Sequence, residues 1–468
     1  MRKATMATLL LAGLAVWQSP RGCAEVKLHG LFKDHMVLQC DMKVPIWGSA
    51  DPGESVTVTI NGQKATATAD SKGKWLATLN PLKAGGPHTV AIEGKSSSIK
   101  LEDVLVGEVW ICGGQSNMEW SLQQTRDPKD VIANSKNDKI RLFDVQKKPN
   151  GTPQTELSEP YAEKNGRQFG EWLLCEPKTV PTFSGVGYFF GRKLEKDLGV
   201  PVGLINSSWG GSPAERWTSK AVMDNEPELK GLKGSDFYNG MIVPLEPFAF
   251  RGVIWYQGES NANKPKQYFH LMNAMIKNWR DDWKQGDFPF LAVQLAPYEP
   301  GKNWPELREA QLFTSLAVPK SAMAVITDGG DPKAPKDIHP KDKAIVGERL
   351  ALAAEAMAYG KKVEYIGPLY DSVKFEGDKA ILSFKHIAGG LKVKGDVLNG
   401  FTIAGKDGNF VKAEATIVEK TVVVRSPDVA QPTAVRYGWA AYPVCNLYNA
   451  EGLPATPFRT DVPDYLKK

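Results

Sequence analysis

Five short apolar runs, separated by segments with a helical pattern, constrain the fold of this chain most strongly. Runs that are apolar almost throughout are typical of parallel strands buried on both faces. The segments between them, such as 268–283 and 306–316, repeat apolar residues at helical spacing. This alternation predicts an α/β domain over residues 104–359, with a parallel sheet in a three-layer α/β/α arrangement. The five runs are residues 105–112, 202–206, 252–256, 290–295 and 322–327.

Both flanks of this region have the pattern of short β-strands. Residues 56–60 alternate apolar and polar side chains, and the following Asn61-Gly62 is a strong hairpin signal. We therefore expect a small N-terminal β-sandwich domain over residues 25–103. The strand pattern returns over residues 360–468, which predicts a C-terminal β-rich region that packs near the N-terminal β domain.

The N-terminus has the features of a secretory signal peptide. Arg2 and Lys3 precede an apolar run over residues 6–17, which is short for a membrane span, and small residues follow it. We expect a cleaved signal over residues 1–24, a mature chain that starts near Glu25, and a secreted or periplasmic protein. A disordered or membrane-anchored N-terminus is the alternative. No later segment is apolar enough to span a membrane.

Composition excludes some classes of partner. The chain has 468 residues, with 58 Lys and Arg against 53 Asp and Glu, spread evenly and without a basic arm. Nucleic acid is therefore not an expected partner. The sequence has neither an H-E-x-x-H motif nor paired Cys/His spacing, so we expect no metal and no cofactor. It does not fix an oligomeric state.

Four cysteines remain when the predicted signal is removed, namely Cys40, Cys112, Cys175 and Cys445. Four cysteines allow three full pairings, and one bridge is possible. Because nothing near Cys112 in sequence would lower its pKa, we interpret it as a small buried thiol.

A serine follows the first apolar run in the stretch V-W-I-C-G-G-Q-S-N-M-E-W. Ser116 lies at the carboxyl end of the predicted strand, where α/β folds bind their ligands. The helical stretch after it would direct free N–H groups toward an anion at the serine oxygen. Met118 occupies the last position of a G-x-S-x-G pattern, which disfavours the nucleophile elbow of α/β-hydrolases.

A histidine lies on the loop after the last apolar run, in Asp337-Ile338-His339-Pro340. Pro340 favours an extended His339 and is predicted to be the first residue of the next helix, 340–359. A fixed imidazole with a carboxylate two residues away is what a general base for Ser116 requires. The alternative is a helix-capping histidine with a solvated Asp337.

Two further polar segments follow apolar runs. Gly258 permits a tight turn, and Asn261 offers a side-chain amide to the same cavity as Ser116. In Trp209-Gly210-Gly211, the glycines let backbone N–H groups approach a ligand closely. Together with Ser116 and His339, these segments predict one functional rim at the carboxyl edge of the sheet.

These motifs resemble those of the sialate O-acetylesterase group of SGNH hydrolases, which also includes acetyl xylan esterases. The resemblance is carried by Gly-Gly-Gln-Ser-Asn-Met at 113–118, Trp-Gly-Gly at 209–211, Gln-Gly-Glu-Ser-Asn at 257–261 and Asp-Ile-His-Pro at 337–340. It extends to residues 31–39 and 47–53 of the N-terminal region. It implies an SGNH-type three-layer fold with flanking all-β regions and a serine ester hydrolase.

The resemblance also implies roles for individual residues. Ser116 would be the nucleophile and His339 the base, with an oxyanion hole formed by the Ser116 N–H, an N–H of Gly210 or Gly211, and the Asn261 amide.

The carboxylate that orients His339 stays open between two residues. Asp337 matches the family's acid near the histidine, although many SGNH enzymes have three-residue spacing where this chain has two. Glu259 resembles the orienting acid of the acetyl xylan esterase branch. We favour Asp337.

The substrate implied by the resemblance is an acetylated carbohydrate, with 9-O-acetyl sialic acid preferred. Acetyl xylan or another polysaccharide is the alternative substrate. A non-catalytic carbohydrate-binding protein, and a lipase or thioesterase, are the alternative functions.

Arg216 is suited to a substrate carboxylate, although an ion pair within the protein would also explain it. Tryptophans near the rim are candidates for stacking on a sugar, with core packing as the alternative. The expected substrate-binding residues are Gln115, Trp209, Arg216 and Gln257.

Overall fold

The computed structural model describes residues 25–466, and strands make up both its flanks and its centre. In chain order, the strands up to the last of the central sheet are β1 (Lys27–Leu28), β2 (Val37–Gln39), β3 (Val44–Ser49), β4 (Ser55–Ile60), β5 (Gln63–Thr68), β6 (Lys74–Leu79), β7 (Gly85–Glu93), β8 (Ser98–Gly114), β9 (Asn137–Asp144), β10 (Tyr161–Ala162), β11 (Gln168–Phe169), β12 (Trp172–Cys175), β13 (Val202–Ser208), β14 (Gly252–Tyr256), β15 (Phe290–Val293) and β16 (Ser321–Ala324).

The central sheet has the strand order β12-β9-β13-β8-β14-β15-β16. All neighbours pair in parallel except the edge strand β12, which is antiparallel to β9. The five apolar runs predicted as strands all lie in this sheet. The chain proceeds from β8 to one side through β9 and β13, and then to the other side through β14, so β8 lies at the topological switch point.

Helices cover both faces of this sheet. On one face, α3 (Gly185–Leu198) and α7 (Lys343–Tyr359) pack against each other, and Phe190 of α3 contacts Trp110 of β8; on the other face, α5 (Pro265–Trp283) and α6 (Trp304–Ala317) pack together. The predicted three-layer α/β/α arrangement is confirmed. The α-helices are α1 (Ser116–Glu119), α2 (Pro128–Ala133), α3 (Gly185–Leu198), α4 (Lys220–Asn225), α5 (Pro265–Trp283), α6 (Trp304–Ala317) and α7 (Lys343–Tyr359).

One long strand joins the N-terminal β region to the central sheet. The first half of β8 pairs with β7 and with β2, whereas its second half, from Glu108 onward, pairs with β13. The predicted division at residues 103/104 therefore falls inside a continuous strand. N-terminal side chains also join the core of the central α/β region, as in the contact of Phe32 with Phe248, whose ring centroids are 5.7 Å apart.

Two local predictions need correction. Helix α7 begins at Lys343 and not at Pro340, because Asp342 is its N-cap and accepts a hydrogen bond from the Ile345 N–H at 3.4 Å. Strand β9 was not predicted, since its first residues, Asn-Asp-Lys, are polar, and Arg141 interrupts the apolar residues that follow.

The C-terminal region is β-rich, as predicted. It packs against the central α/β region through Arg308 of α6, whose guanidinium is fully buried and donates to the carbonyls of Leu295, Ala296, Ala440 and Ala441. Packing near the N-terminal β domain stays a prediction. The strands are β17 (Leu369–Glu376), β18 (Lys379–Lys385), β19 (Leu391–Val393), β20 (Phe401–Ala404), β21 (Val411–Lys412), β22 (Glu414–Val418), β23 (Thr421–Arg425), β24 (Ala434–Tyr437), β25 (Leu447–Asn449) and β26 (Phe458–Arg459).

The four cysteines that the structure describes are all free thiols. Cys112 is fully buried, as interpreted from the sequence, and burial raises its pKa above the ordinary range of a thiol. Within residues 25–466, no helix is both long and apolar enough to cross a membrane. The predicted signal over residues 1–24 lies outside the described residues.

We predict that Arg308→Met loosens the C-terminal region. The substitution removes the donors of buried carbonyl groups, so the free energy of unfolding should fall by about 3 kcal/mol or more, measured by urea denaturation. Arg425→Met is the control, because Arg425 is exposed on β23 and its ion pair with Glu414 is weakly stabilising. Equal, small losses in both variants would contradict this role for Arg308.

Candidate active site

Ser116 is the first residue of a single helical turn that directly follows the switch-point strand. The strand ends at Gly114, whose φ of +136° and close approach to Tyr256 exclude a side chain. A Cβ at Gly114 would lie 2.2 Å from the Tyr256 carbonyl oxygen. This sharp exit leaves Ser116 partly exposed at the carboxyl edge of the sheet. Because α1 is only one turn long, its free N–H groups, and not a long helix dipole, are what it offers an anion.

The serine and the predicted base are in contact. Ser116 Oγ lies 2.9 Å from His339 Nε2, although 223 positions separate the two residues. The indole of Trp120 stacks on the imidazole, with centroids 4.6 Å apart and planes at 18°. This packing holds the ring in the orientation that a general base for Ser116 needs.

Asp337 is close to His339 but is not hydrogen-bonded to its ring. The distance from His339 Nδ1 to Asp337 Oδ1 is 4.0 Å, and the same oxygen accepts the backbone N–H of His339 at 2.9 Å. The carboxylate therefore shapes the histidine loop and acts on the imidazole through its charge.

Glu259, the other candidate acid, contacts Asn117. The Asn117 amide donates to Glu259 Oε1 at 2.5 Å and to the Ile338 carbonyl at 3.0 Å. Burial raises the pKa of Glu259. The choice between Asp337 and Glu259 as the acid that orients the histidine thus stays a prediction.

Burial also determines the charge state of the histidine. The pKa of His339 is lowered from its ordinary value, first by burial and then by the positive charge of Lys343, while Asp337 acts in the opposite direction. A lowered pKa keeps the imidazole neutral, as a base requires, to more acidic pH.

The Gly210 segment packs directly against the serine. A Cβ at Gly210 would lie 3.4 Å from Ser116 Cβ, and the Gly210 N–H donates to Glu119 Oε2 at 2.6 Å. Because this N–H has only one hydrogen, it can serve an oxyanion only when Glu119 releases it. Gly211 is exposed with a φ of +70°.

Glu119 lies beside Ser116 and Gly210 and was not predicted from the sequence. Its carboxylate pairs with Lys147 and lies 3.5 Å from Arg167, which also forms an ion pair with the buried Asp144 at 2.7 Å. Its position three residues after Ser116 was the available signal, because residues three apart share a face of a helical turn.

The Asn261 amide is partly engaged by protein groups. Its Nδ2 donates to Glu215 Oε2 at 2.8 Å, and its Oδ1 accepts from Gln257 Nε2 at 2.7 Å and from the Ala214 N–H at 2.9 Å. An amide nitrogen carries two hydrogens, so the contact with Glu215 uses one of them. The predicted oxyanion role of Asn261 depends on the other.

The predicted substrate-binding glutamines lie in the interior of the rim. Gln257 Nε2 donates to Gln115 Oε1 at 3.1 Å, which also accepts the Ser260 N–H at 3.3 Å. Gln115 and Gln257 are buried. Their contacts join the serine turn to the loop after β14, and direct contact with substrate stays a prediction.

Arg216 forms an ion pair with Asp236, which was the predicted alternative to binding a substrate carboxylate. Its Nε lies 2.9 Å from Asp236 Oδ1, and its guanidinium lies over the ring of Phe237 at 3.5 Å. The hydrogen bond from Arg216 lowers the pKa of Asp236. Arg216 can meet a substrate carboxylate only while sharing its charge with Asp236.

The tryptophans divide into core and rim. Trp217, Trp255 and Trp304 are buried, whereas Trp120 and Trp209 are partly exposed. Trp209 stacks on Phe237 with centroids 4.6 Å apart and planes at 11°. Trp120 and Trp209 are therefore the rim tryptophans with surface available to a sugar ring.

The part of the chain that the structure describes contains no group of three or more His, Cys, Asp and Glu side chains arranged to hold a metal ion.

Comparison with known proteins identifies the family. The family model described as carbohydrate esterase, sialic acid-specific acetylesterase matches residues 106–356. Sialate O-acetylesterase of Rattus norvegicus is 30% identical over 509 residues, which cover 91% of this chain and 92% of that protein. The Homo sapiens protein of the same name is 29% identical over 513 residues, covering 97% of this chain and 96% of that protein.

A solved structure supports the same assignment. A carbohydrate acetylesterase from Xanthomonas citri is 41% identical in sequence and superposes with a TM-score of 0.87, covering 93% of this chain and all of that one. The family model spans more than half of the 468 residues, and the fold agrees over nearly the whole chain. This chain therefore belongs to the family of carbohydrate esterases described as sialic acid-specific acetylesterases, and it is an ester hydrolase.

Proposed function

We propose that this ester hydrolase removes O-acetyl groups from glycans, with 9-O-acetyl sialic acid as its substrate. The observation that carries the proposal is the 2.9 Å contact between Ser116 Oγ and His339 Nε2 at the carboxyl edge of the sheet. The named relatives, sialate O-acetylesterases and a carbohydrate acetylesterase, support the substrate class. Acetyl xylan or another acetylated polysaccharide is the second candidate, because the rim tryptophans suit any sugar face.

The mechanism follows from the residue types. His339 takes the Ser116 proton as the serine oxygen attacks the acetyl carbonyl, and the sugar hydroxyl leaves with the proton that His339 returns. Water activated by His339 then hydrolyses the acetyl-enzyme and releases acetate. The Ser116 N–H, the second Asn261 amide hydrogen, and an N–H of Gly210 or Gly211 stabilise the oxyanion in both steps.

Glu119 adds a condition to this mechanism. A carboxylate beside the forming oxyanion would oppose it, so the substrate carbonyl must displace Glu119 from the Gly210 N–H. Lys147 and Arg167 contact the other oxygen of this carboxylate, so their ion pairs do not depend on the Gly210 N–H.

We also propose that the chain is exported, with cleavage before a mature chain that starts near Glu25. The support is the basic pair and apolar run at the N-terminus. N-terminal sequencing of the protein recovered outside the cytoplasm tests the cleavage site.

Acetate release tests the substrate proposal directly. We expect the wild-type protein to release acetate from 9-O-acetyl sialic acid faster than from acetylated xylan, and Ser116→Ala to lose release from both by at least about 10³-fold. Ser71→Ala, at an exposed turn serine, is the matched control and should match the wild type. A folded wild-type protein inactive on both glycans and on p-nitrophenyl acetate would favour the carbohydrate-binding alternative.

The oxyanion role of Asn261 predicts a graded effect. Asn261→Ala should lower kcat by about a hundredfold or more with a small change in KM, because one oxyanion donor is removed. Exposed Asn263 provides the control variant Asn263→Ala. A mild loss in Asn261→Ala, similar to that of the control, would remove Asn261 from the oxyanion hole.

The lowered pKa of His339 predicts the pH dependence. Because the pKa of His339 is lowered from 6.5, its imidazole stays mostly neutral at pH 6.5, and the acidic inflection of kcat/KM for p-nitrophenyl acetate should lie below pH 6.5. Rates measured from pH 4 to 8 would locate it. An inflection above 6.5 would be evidence against the neutral, buried imidazole described here.

A further inference from the structure

A buried lysine lies behind the serine and the histidine. Lys343, the first residue of α7, has no exposed surface, and its amine donates to Asn117 Oδ1. It lies over the rings of Tyr256 and Trp120, 5.3 Å and 5.9 Å from their centroids. Lysines are rarely buried to this extent without a specific partner, because removing the ammonium group from water is costly.

The partner of this lysine joins the two catalytic loops. Asn117 follows Ser116 in the chain and is also fully buried. While its Oδ1 accepts from Lys343, its amide donates to the carbonyl of Ile338, the residue before His339, and to Glu259. A single side chain thus ties the serine turn, the histidine loop and the loop after β14 together.

Lys343 also contacts the imidazole indirectly, through Trp120. The indole of Trp120 stacks on His339, and the Lys343 amine lies over the same indole. The ring that fixes the imidazole is therefore itself packed against the lysine.

Burial and nearby charges shift the pKa values of both Lys343 and His339. Burial lowers the pKa of Lys343 to about 7, and Glu259, Asp337 and Asp342 act in the opposite direction. The groups that act on His339 are Lys343, which disfavours the imidazolium, and Asp337, which favours it.

We propose that Lys343 is a positioning residue for His339, acting through Asn117 and Trp120 and placing its ammonium group behind the imidazole. This inference rests on the proposed function, in which His339 is the base for Ser116. Lys343 does not touch the reacting atoms, so its effect must be read on the histidine.

Removing the charge should change the titration of His339 in a defined direction. Without the nearby ammonium, the imidazolium is less disfavoured, so the His339 midpoint rises and a larger fraction of the base is protonated in mild acid. In Lys343→Met, kcat/KM for p-nitrophenyl acetate should fall by about threefold at pH 6, and by less at pH 8.

The decisive experiment titrates the imidazoles by NMR in the Ser116→Ala background, with and without Lys343→Met. The chain has six histidines, and His339→Gln identifies the resonance of His339 by its loss. We expect the His339 midpoint to move upward in Lys343→Met and to stay in place in Lys341→Met, an exposed lysine of the same segment. Should Lys343→Met not fold, Lys343→Gln, which is neutral and retains an N–H donor for Asn117, carries the same test.

An unchanged His339 midpoint in a folded, uncharged variant would overturn the proposal. This result is distinct from failure of the proposed function, because the titration is measured without turnover. Absence of acetate release by the wild-type protein would instead contradict the assignment of activity.

Discussion

The proposed chemistry of this protein requires the contact between Ser116 and His339. It joins two segments that are distant in the chain, and it forms only because both follow strands that end at the same edge of a parallel sheet. Gly114 allows the sharp turn from β8 to Ser116, since any side chain at this position would collide with Tyr256. The serine follows the long β8 strand, which pairs with strands of both the N-terminal β region and the central sheet.

Buried polar groups around this contact hold the loops together. Asn117 bridges the serine turn and the histidine loop, and Gln257 bridges the serine turn and Asn261. These hydrogen bonds favour one arrangement of the loops, because breaking any of them would leave a further buried polar group without a partner. Glu119 differs from them because it occupies an N–H that the proposed chemistry needs, which couples substrate entry to the movement of one carboxylate.

Sequence patterns predicted the layers, the apolar strands of the sheet and the meeting of Ser116 with His339, because each depends on local periodicity or on strand ends. They missed strand β9, whose first residues are polar, and they placed the start of α7 too early, because Asp342 caps the helix after Pro340. The roles of Asn117 and Lys343 depend on burial created by packing between distant segments, and a charged or amide side chain in sequence carries no sign of that burial.

The most direct test of the central claim is covalent labelling of the wild-type protein with a fluorophosphonate, followed by mass spectrometry of its peptides. We expect an adduct on Ser116 that forms rapidly in the wild type and at a greatly reduced rate in His339→Gln. An adduct on another serine, or equal labelling rates in the two proteins, would contradict the assignment of Ser116 as a nucleophile activated by His339.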